Sequence, residues 1–244
     1  MAPRRLFTCF GKCNYASSSS GNEVHGKEKI NVTVDASMED QRRAGAIMVE
    51  LFSSQGCATS PEGELLVSRL GRGDFALEAP VIVLAFHVDY WDYMGWKDPY
   101  GSSQWTVRQK AYVEALKLDT MFTPQATIQR PTSESLQVSL SGALRTKVDS
   151  KGANIMVALY ESGLVTNCPH GENKGRVLSN DYVVRRLEKL CTVKDISAKK
   201  TVSGTVNFSL WEGFNSSKCG ITVFVQDNSH QIFGSQSFQL PDNV

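Results

Sequence analysis

No apolar run in this 244-residue chain approaches the ~18–20 residues that a bilayer-spanning helix needs, which excludes a transmembrane segment of that kind. Neither sign of charge dominates. Lys and Arg number 26 against 25 Asp and Glu, leaving +1, so there is no global electrostatic case for nucleic acid or an anionic membrane as partner. Cysteine is sparse. Cys9, Cys13, Cys57, Cys168, Cys191 and Cys219 include no C-x-x-C pair and are too few for a disulfide scaffold. That usage fits a reducing compartment and a cytoplasmic location. No H-x-x-x-H and no Cys/His cluster appears, so no metal site is expected. What the chain does have is 41% hydrophobic residues, enough for a sizeable core in one large domain or two small ones.

Residues 1–44 are expected to be a disordered tail and linker. Residues 1–22 carry Arg4, Arg5 and Lys12 with no acidic residue and end in a serine run. Basic, serine-containing leaders also serve as organelle transit peptides. Cys9 and Cys13 beside the basic pair could accept palmitate, but no Met-Gly start supplies a second lipid signal. Lys29 to Val34 could form a short strand.

The chain is organised around Val49 to Pro61. Ile47, Met48, Val49, Leu51 and Phe52 form an apolar run of strand length, and Ser53 to Gly56 has turn chemistry. Pro61 suits the first turn of a helix, Leu65, Leu66 and Leu70 recur at helical spacing, and Gly71 can end it. Cys57 would then stand at a helix N-terminus, beside free N–H donors and the positive end of the helix dipole. That setting stabilises a thiolate. The alternative is a small buried filler.

Pro80 to Phe86 is a second, nearly continuous apolar run, as in buried parallel strands. Strand, helix, strand argues for a βαβ unit. Ligands of such sheets bind beyond the carboxyl ends of the strands, where Cys57 and the segment His87 to Tyr100 both fall. That segment carries Tyr90, Trp91, Tyr93, Trp96 and Tyr100 among Asp89, Asp92, Lys97 and Asp98. It reads either as a substrate groove or as a loop pinned by its aromatics. His87 and Asp89, two apart on extended chain, point to one face and could pair as base and orienting group. Ser103 to Leu118 is a helix with Val107, Ala111, Ala115 and Leu118 as its stripe, widened by Trp105, Tyr112 and Leu116, and with Arg108, Lys110, Glu114 and Lys117 on the wetter side. Met121 to Ile128 reads as a strand entered through Thr123-Pro124.

Cys57-x-x-Ser60-Pro61 after a strand, with a βα unit and Thr123-Pro124 to follow, resembles a thioredoxin-like domain. More narrowly, Glu50 to Cys57, Phe86 to Asp92, Gly95 to Pro99, Thr123-Pro124-Gln125, Gly171-Glu172-Asn173-x-Gly175-Arg176-Val177-Leu178 and Val183-Val184-Arg185 resemble a family of uncharacterised thioredoxin-like proteins, whose bacterial members are often predicted to be secreted. The resemblance implies Cys57 as the attacking thiol and Pro124 as a cis-proline facing it. It leaves the Thr123 backbone to pair with an extended substrate.

Two features depart from that pattern. Many bacterial relatives have a second cysteine where this chain has Ser60. A lone thiolate can form a mixed disulfide, but an external thiol such as glutathione must resolve it, with Ser60 left to hydrogen-bond the sulfur. After Ile128, no pattern for a last strand and helix precedes Arg130-Pro131-Thr132-Ser133, so the α/β thioredoxin-like domain, placed at 45–131, is read as truncated at its C-terminal strand and helix. That leaves a sheet edge exposed. Residues 132–244 change character. Leu136 to Leu140, Ile155 to Tyr160, Leu164 to Asn167, Val206 to Leu210, Ile221 to Val225, Ile232 to Phe233 and Ser237 to Leu240 read as short strands of a mainly β, sandwich-like domain. One helix interrupts them, from Val183, Leu187 and Leu190 after an Asn180 cap. His170, Glu172, Asn173 and Arg176 form a polar loop, either a contact surface toward the first domain or a hydrogen-bonded loop.

The leading functional expectation is monothiol thiol–disulfide exchange, without cofactor, on protein or small-molecule thiols and disulfides. Cys57, Ser60, Thr123 and Pro124 would be its catalytic set, with His87, Asp89, Trp91 and Trp96 contacting substrate. The rival is a redox-inactive binding module that uses the aromatic loop 87–100. A hydrolase pairing Cys57 with His87 stands third, since it needs the two within hydrogen-bond reach.

Overall fold

The computed structural model describes residues 46–77, 79–129, 152–193 and 204–241. Strand β1 (Ile47–Ser53), helix α1 (Ser60–Gly71) and strand β2 (Val81–His87) come first, followed by a 3-10 turn at Asp92–Met94, helix α2 (Ser103–Ala115) and strand β3 (Gln125–Gln129). Then come β4 (Ala153–Glu161), β5 (Leu164–Asn167), β6 (Val177–Asn180), β7 (Val183–Val193), β8 (Cys219–Asp227) and β9 (Ile232–Gln239). Seven strands make one mixed sheet in the order β3-β1-β2-β7-β4-β8-β9, and β5 and β6 form a separate hairpin. β1 and β2 are parallel, and β3 runs antiparallel to β1. Among the described residues β3 is the outermost strand on its side.

β1 and β2 read as near-continuous apolar runs because both of their faces are covered. On one face Met48, Phe52, Leu84, Phe86 and Val88 pack with Trp105 and Tyr112 of α2, and the cluster runs on to Phe224 and Ile232. On the other, Val49, Leu51 and Val83 pack with Val67 of α1. Period-2 alternation thus sends Glu50 toward α2, while Ser53 and His87 lie on the α1 side.

Both helices turn faces to the sheet that their apolar stripes indicated only in part: Trp105, Tyr112 and Leu70 face the core. Leu65 and Leu66 of α1 are 61% and 53% exposed, and the buried positions are Ser60, Glu64, Val67 and Ser68. Polar groups of Ser53 and Asn180 await partners under this helix, and satisfying them outweighs burying two leucines. α2 ends at Ala115. It buries Trp105, Arg108, Gln109 and Tyr112, whereas Val107, Leu116 and Leu118 are exposed. Arg108, expected on the wet side, is buried because Glu50 lies across from it on β1.

The segment expected as a helix from Val183 to Leu190 is the strand β7. It pairs antiparallel with β4 along its length and with β2 in parallel at Val183. Register shifts between Ile155 and Met156 and between Leu159 and Tyr160 leave one extra β7 residue at each place. Two bulges break the period of 2 and produce helix-like apolar spacing. Asn180 therefore caps no helix and closes β6. β4, β7, β8 and β9, expected as part of a separate sandwich-like unit, pair into the same sheet as β1–β3 through the β2–β7 contact. Val206, Phe208 and Leu210 belong to no strand. They pack with Trp211 and Phe214 over the face of β4 and β8. The expected boundary at 131/132, the strands at Leu136 to Leu140 and Lys29 to Val34, and Cys9 and Cys13 lie outside the described residues.

Candidate functional site

β1 runs out into the turn Ser54–Cys57, and the turn delivers Cys57 to the start of α1. The Cys57 amide donates to Ser54 O at 3.1 Å and the Gly56 amide to Ser54 Oγ at 3.1 Å. The Gln55 amide donates to Asp98 Oδ2 at 2.7 Å, and the Ser54 amide to Ser60 Oγ at 3.3 Å. Gly56 is required here, since a Cβ would stand 2.9 Å from Trp91 Cβ. Cys57 is 4% exposed, while its neighbours Ala58 and Thr59 are open to solvent. Its Sγ lies 3.3 Å from Thr59 Oγ1 and 3.5 Å from Thr123 O. Burial pushes the thiol up. The polar groups of Ser60, Thr123 and Thr59 around the sulfur outweigh burial and hold it below the ordinary cysteine value.

Across from the sulfur, the Thr123–Pro124 peptide is cis. Gly63, one turn into α1, makes room for its ring, because a Cβ there would meet Pro124 Cβ at 2.8 Å and Cγ at 2.9 Å. Gln109 of α2 steadies the same segment by donating to Phe122 O at 2.8 Å and Gln125 Oε1 at 2.7 Å. The structure thus brings Cys57, Ser60, Thr123 and Pro124 together.

His87, Asp89, Trp91 and Trp96 are arranged otherwise than expected. His87 is fully buried, and its partner is Asp98, with Nδ1 2.7 Å from Oδ2. Asp89 instead accepts from Thr106 Oγ1 at 2.6 Å. The expected His87–Asp89 pair does not form because Asp98 reaches the imidazole from under the aromatic loop. There Asp98 also accepts from the Gln55 and Tyr100 amides, the latter at 2.9 Å. Trp91 is half-buried, and its backbone lies against Gly56. Trp96 Nε1 donates to Gln55 Oε1 at 3.2 Å. The loop 87–100 is thus tied to the Cys57 turn through Asp98 and Trp96.

Beneath the turn sits a carboxyl group that reading the sequence missed. Glu64 of α1 accepts from Ser53 Oγ and from Asn180 Nδ2, and its Oε1 lies 3.9 Å from His87 Nε2. Gln55 Nε2 donates to Asn180 Oδ1 at 2.8 Å. Burial favours a neutral His87, but Asp98 and Glu64 outweigh it and push the imidazole up to about 9. Burial favours a protonated Asp98, and the His87 cation overcomes this and holds it below the usual carboxylate range. Burial keeps Glu64 above that range, although His87 pulls it down. One signal was available for Glu64: it follows Ser60 by four residues and so shares its helix face. Among the described residues no three His, Cys, Asp or Glu side chains converge as a cation site would, and no helix is long and apolar enough to cross a membrane.

The last contribution comes from the loop between β5 and β6. Asn173 Nδ2 donates to Gln55 O at 2.8 Å and to Cys57 O at 2.9 Å, and Arg176 Nη1 donates to Asn173 Oδ1 at 2.8 Å.

The chain belongs to the family described as "Protein of unknown function (DUF1223)", whose model matches residues 48–131 and 126–226. It is similar in fold to a crystal structure of a protein from Agrobacterium tumefaciens, with TM-score 0.54 and 24% identity over 82% of this chain and 96% of that one. It is also similar to HBP35 of Porphyromonas gingivalis, with TM-score 0.51 and 14% identity over 81% of this chain and 76% of that one. No curated protein matches it.

Proposed function

We propose that this member of the family of unknown function is a thioredoxin-like protein that carries out monothiol thiol–disulfide exchange through Cys57. The Cys57 thiolate would attack one sulfur of a substrate disulfide. A Cys57–substrate disulfide forms, the substrate S–S bond breaks, and the departing thiolate takes a proton from solvent. An external thiolate such as glutathione would then attack the substrate sulfur of that mixed disulfide. Cys57 leaves as thiolate and the glutathione–substrate disulfide departs, so no net electron is gained or lost. The observation that carries the reading is the sulfur itself, two residues ahead of Thr59 at the N-cap of α1, held below the ordinary thiol value and 3.5 Å from Thr123 O of the cis Thr123–Pro124 peptide. The order β2-β1-β3, with β2 parallel and β3 antiparallel to β1, supports a thioredoxin-like unit. Ser60 in place of a second cysteine makes the chemistry monothiol, and its hydroxyl serves the sulfur instead.

Alkylation of Cys57 as a function of pH, followed by mass spectrometry, tests this. The expected result is a midpoint clearly below the ordinary thiol value of ~8.5, with a glutathione adduct on Cys57 that is absent in Cys57→Ser. A midpoint at the ordinary value with slow labelling would remove the exchange reading. It would favour instead a binding module that presents the 87–100 loop, on which Tyr93 is 79% exposed.

A further inference from the structure

We infer that the thiol site is completed from the second half of the chain: Asn173, braced by Arg176, is a positioning residue that holds the Cys57 turn and favours the thiolate. The inference rests on the monothiol reading of Cys57. Asn173 is 1% exposed, and its one amide group spans the turn, giving both N–H bonds to the carbonyls of Gln55 and Cys57. Those oxygens carry the negative ends of the 55–56 and 57–58 peptide dipoles, beside the residue that must bear charge. Drawing their density toward an N–H donor lowers the repulsion a thiolate would meet there. Arg176 acts through Asn173. Its guanidinium donates to Oδ1, and a charged donor at the oxygen strengthens the two N–H bonds on the nitrogen side. The contacts also fix which end of the amide is which, since guanidinium can only donate and backbone carbonyls can only accept.

The loop that presents Asn173 is built for a fixed position. β5 and β6 pair antiparallel up to Asn167 and Val177. Gly175 N donates to Cys168 O at 2.7 Å, Cys168 N to Arg176 O at 3.0 Å, and Arg176 N to Asn173 O at 3.0 Å. Gly171, at φ 73°, lets the loop close on Trp96, whose Cβ would stand 2.7 Å from any Cβ added there. The other titratable groups around the turn are Tyr90 of the aromatic loop, whose phenol Cys57 helps to push up, and Glu64, His87 and Asp98 below it. The side chain of Arg176 is exposed, so it can be changed without opening the core.

The test is the pH profile of Cys57 alkylation in the full chain, for the wild type, Asn173→Ala, Arg176→Met and Arg176→Lys, with a melting curve for each. The expected result is a midpoint moved toward ~8.5 in Asn173→Ala, with labelling at neutral pH slowed about tenfold for each unit of the shift. Arg176→Met should move the same way by less, Arg176→Lys should recover most of it, and the rate at high pH should stay unchanged in all four. A low wild-type midpoint that Asn173→Ala and Arg176→Met leave in place overturns the inference while the monothiol reading stands. A wild-type midpoint already at the ordinary value fails the monothiol reading and takes this inference with it. If Asn173→Ala does not fold, the two Arg176 variants decide alone, and an unmoved midpoint in Arg176→Met overturns the proposal.

Discussion

On the α2 face of β1, Glu50 is buried against Arg108 and Tyr112; on the α1 face, Glu64 is buried against Ser53, Asn180 and, at a longer distance, His87. The first network is closed. Arg108 Nε and Nη2 donate to Glu50 Oε1 at 3.0 and 2.6 Å, Tyr112 donates to Oε2, and Arg108 Nη1 donates to Gln226 Oε1 at 3.2 Å. Gln226 Nε2 in turn donates to Tyr112 at 2.8 Å, and the guanidinium stacks over Phe86 and Phe224. The second network is incomplete. His87 Nε2 is buried without a hydrogen-bond partner, and a cationic imidazole stands between two carboxylates under the Cys57 turn. The closed network ties β1, α2 and β8 together. A titratable one can change charge with pH, and the Cys57 thiol lies on that side.

The comparison breaks most sharply at Arg108. Arg108→Met leaves Glu50 buried without its cation, which should cost about 3–5 kcal/mol. At ~2–4 °C per kcal/mol for a chain of this size, the melting temperature should fall by roughly 6–20 °C. The Cys57 alkylation profile of the folded protein should not move, because the network lies across the sheet. A loss below about 1 kcal/mol in chemical denaturation would show that the closed network is not what fastens α2 to β1.

The open network should reveal itself through pH. His87 is pushed up to about 9 from 6.5, so the folded state binds that proton more tightly than the unfolded chain does. Its contribution is fully present below pH 6.5 and is lost as pH rises through 9, amounting to about 3 kcal/mol at ~1.36 kcal/mol per unit. Asp98, shifted down, contributes above the ordinary carboxylate range and is lost in acid. Glu64, shifted up, loses its contribution as pH rises past its ordinary value. Asp98 acts below the His87 window, whereas Glu64 has the same sign as His87, so the His87 change is what separates the two. Cys57, shifted down, opposes the fall inside the window, so the measurement belongs in Cys57→Ser. Urea midpoints there should drop between pH 6.5 and 9, and His87→Asn in the same background should flatten the drop. A midpoint that is flat before the His87 change would mean the imidazole is neutral.

The sequence displays apolar periodicity well and buried charge poorly. β1 and β2 could be read because Ile47 to Phe52 and Pro80 to Phe86 are apolar on both faces, and the Cys57 turn because Gly56 and Pro61 flank it. Glu50, Glu64 and Arg108 look like surface residues in any window, since what buries them is a partner 58 residues away for Glu50 and Arg108 and 116 away for Glu64 and Asn180. His87 was paired with Asp89 on nearness in sequence, whereas the loop returns Asp98 to it from eleven residues on. β7 was hidden by its two bulges, which mimic a helical period.

The face of α1 gives the smallest effect and separates these two kinds of signal. Leu65 and Leu66 made the helix look amphipathic, yet both are mostly exposed, while Val67 is buried against Val49, Leu51 and Val83. Leu65→Gln removes an apolar group that is already in water and keeps a good helix former, so stability should change by less than ~0.5 kcal/mol. Val67→Ala deletes two buried methyl carbons, and at about 0.8 kcal/mol per buried carbon group plus a cavity term it should cost roughly 1.5–2.5 kcal/mol. Urea denaturation of the two variants measures the difference directly. Equal losses would mean that α1 packs on its leucines, which would swing Glu64 out from under the Cys57 turn and leave His87 with Asp98 as its one carboxylate.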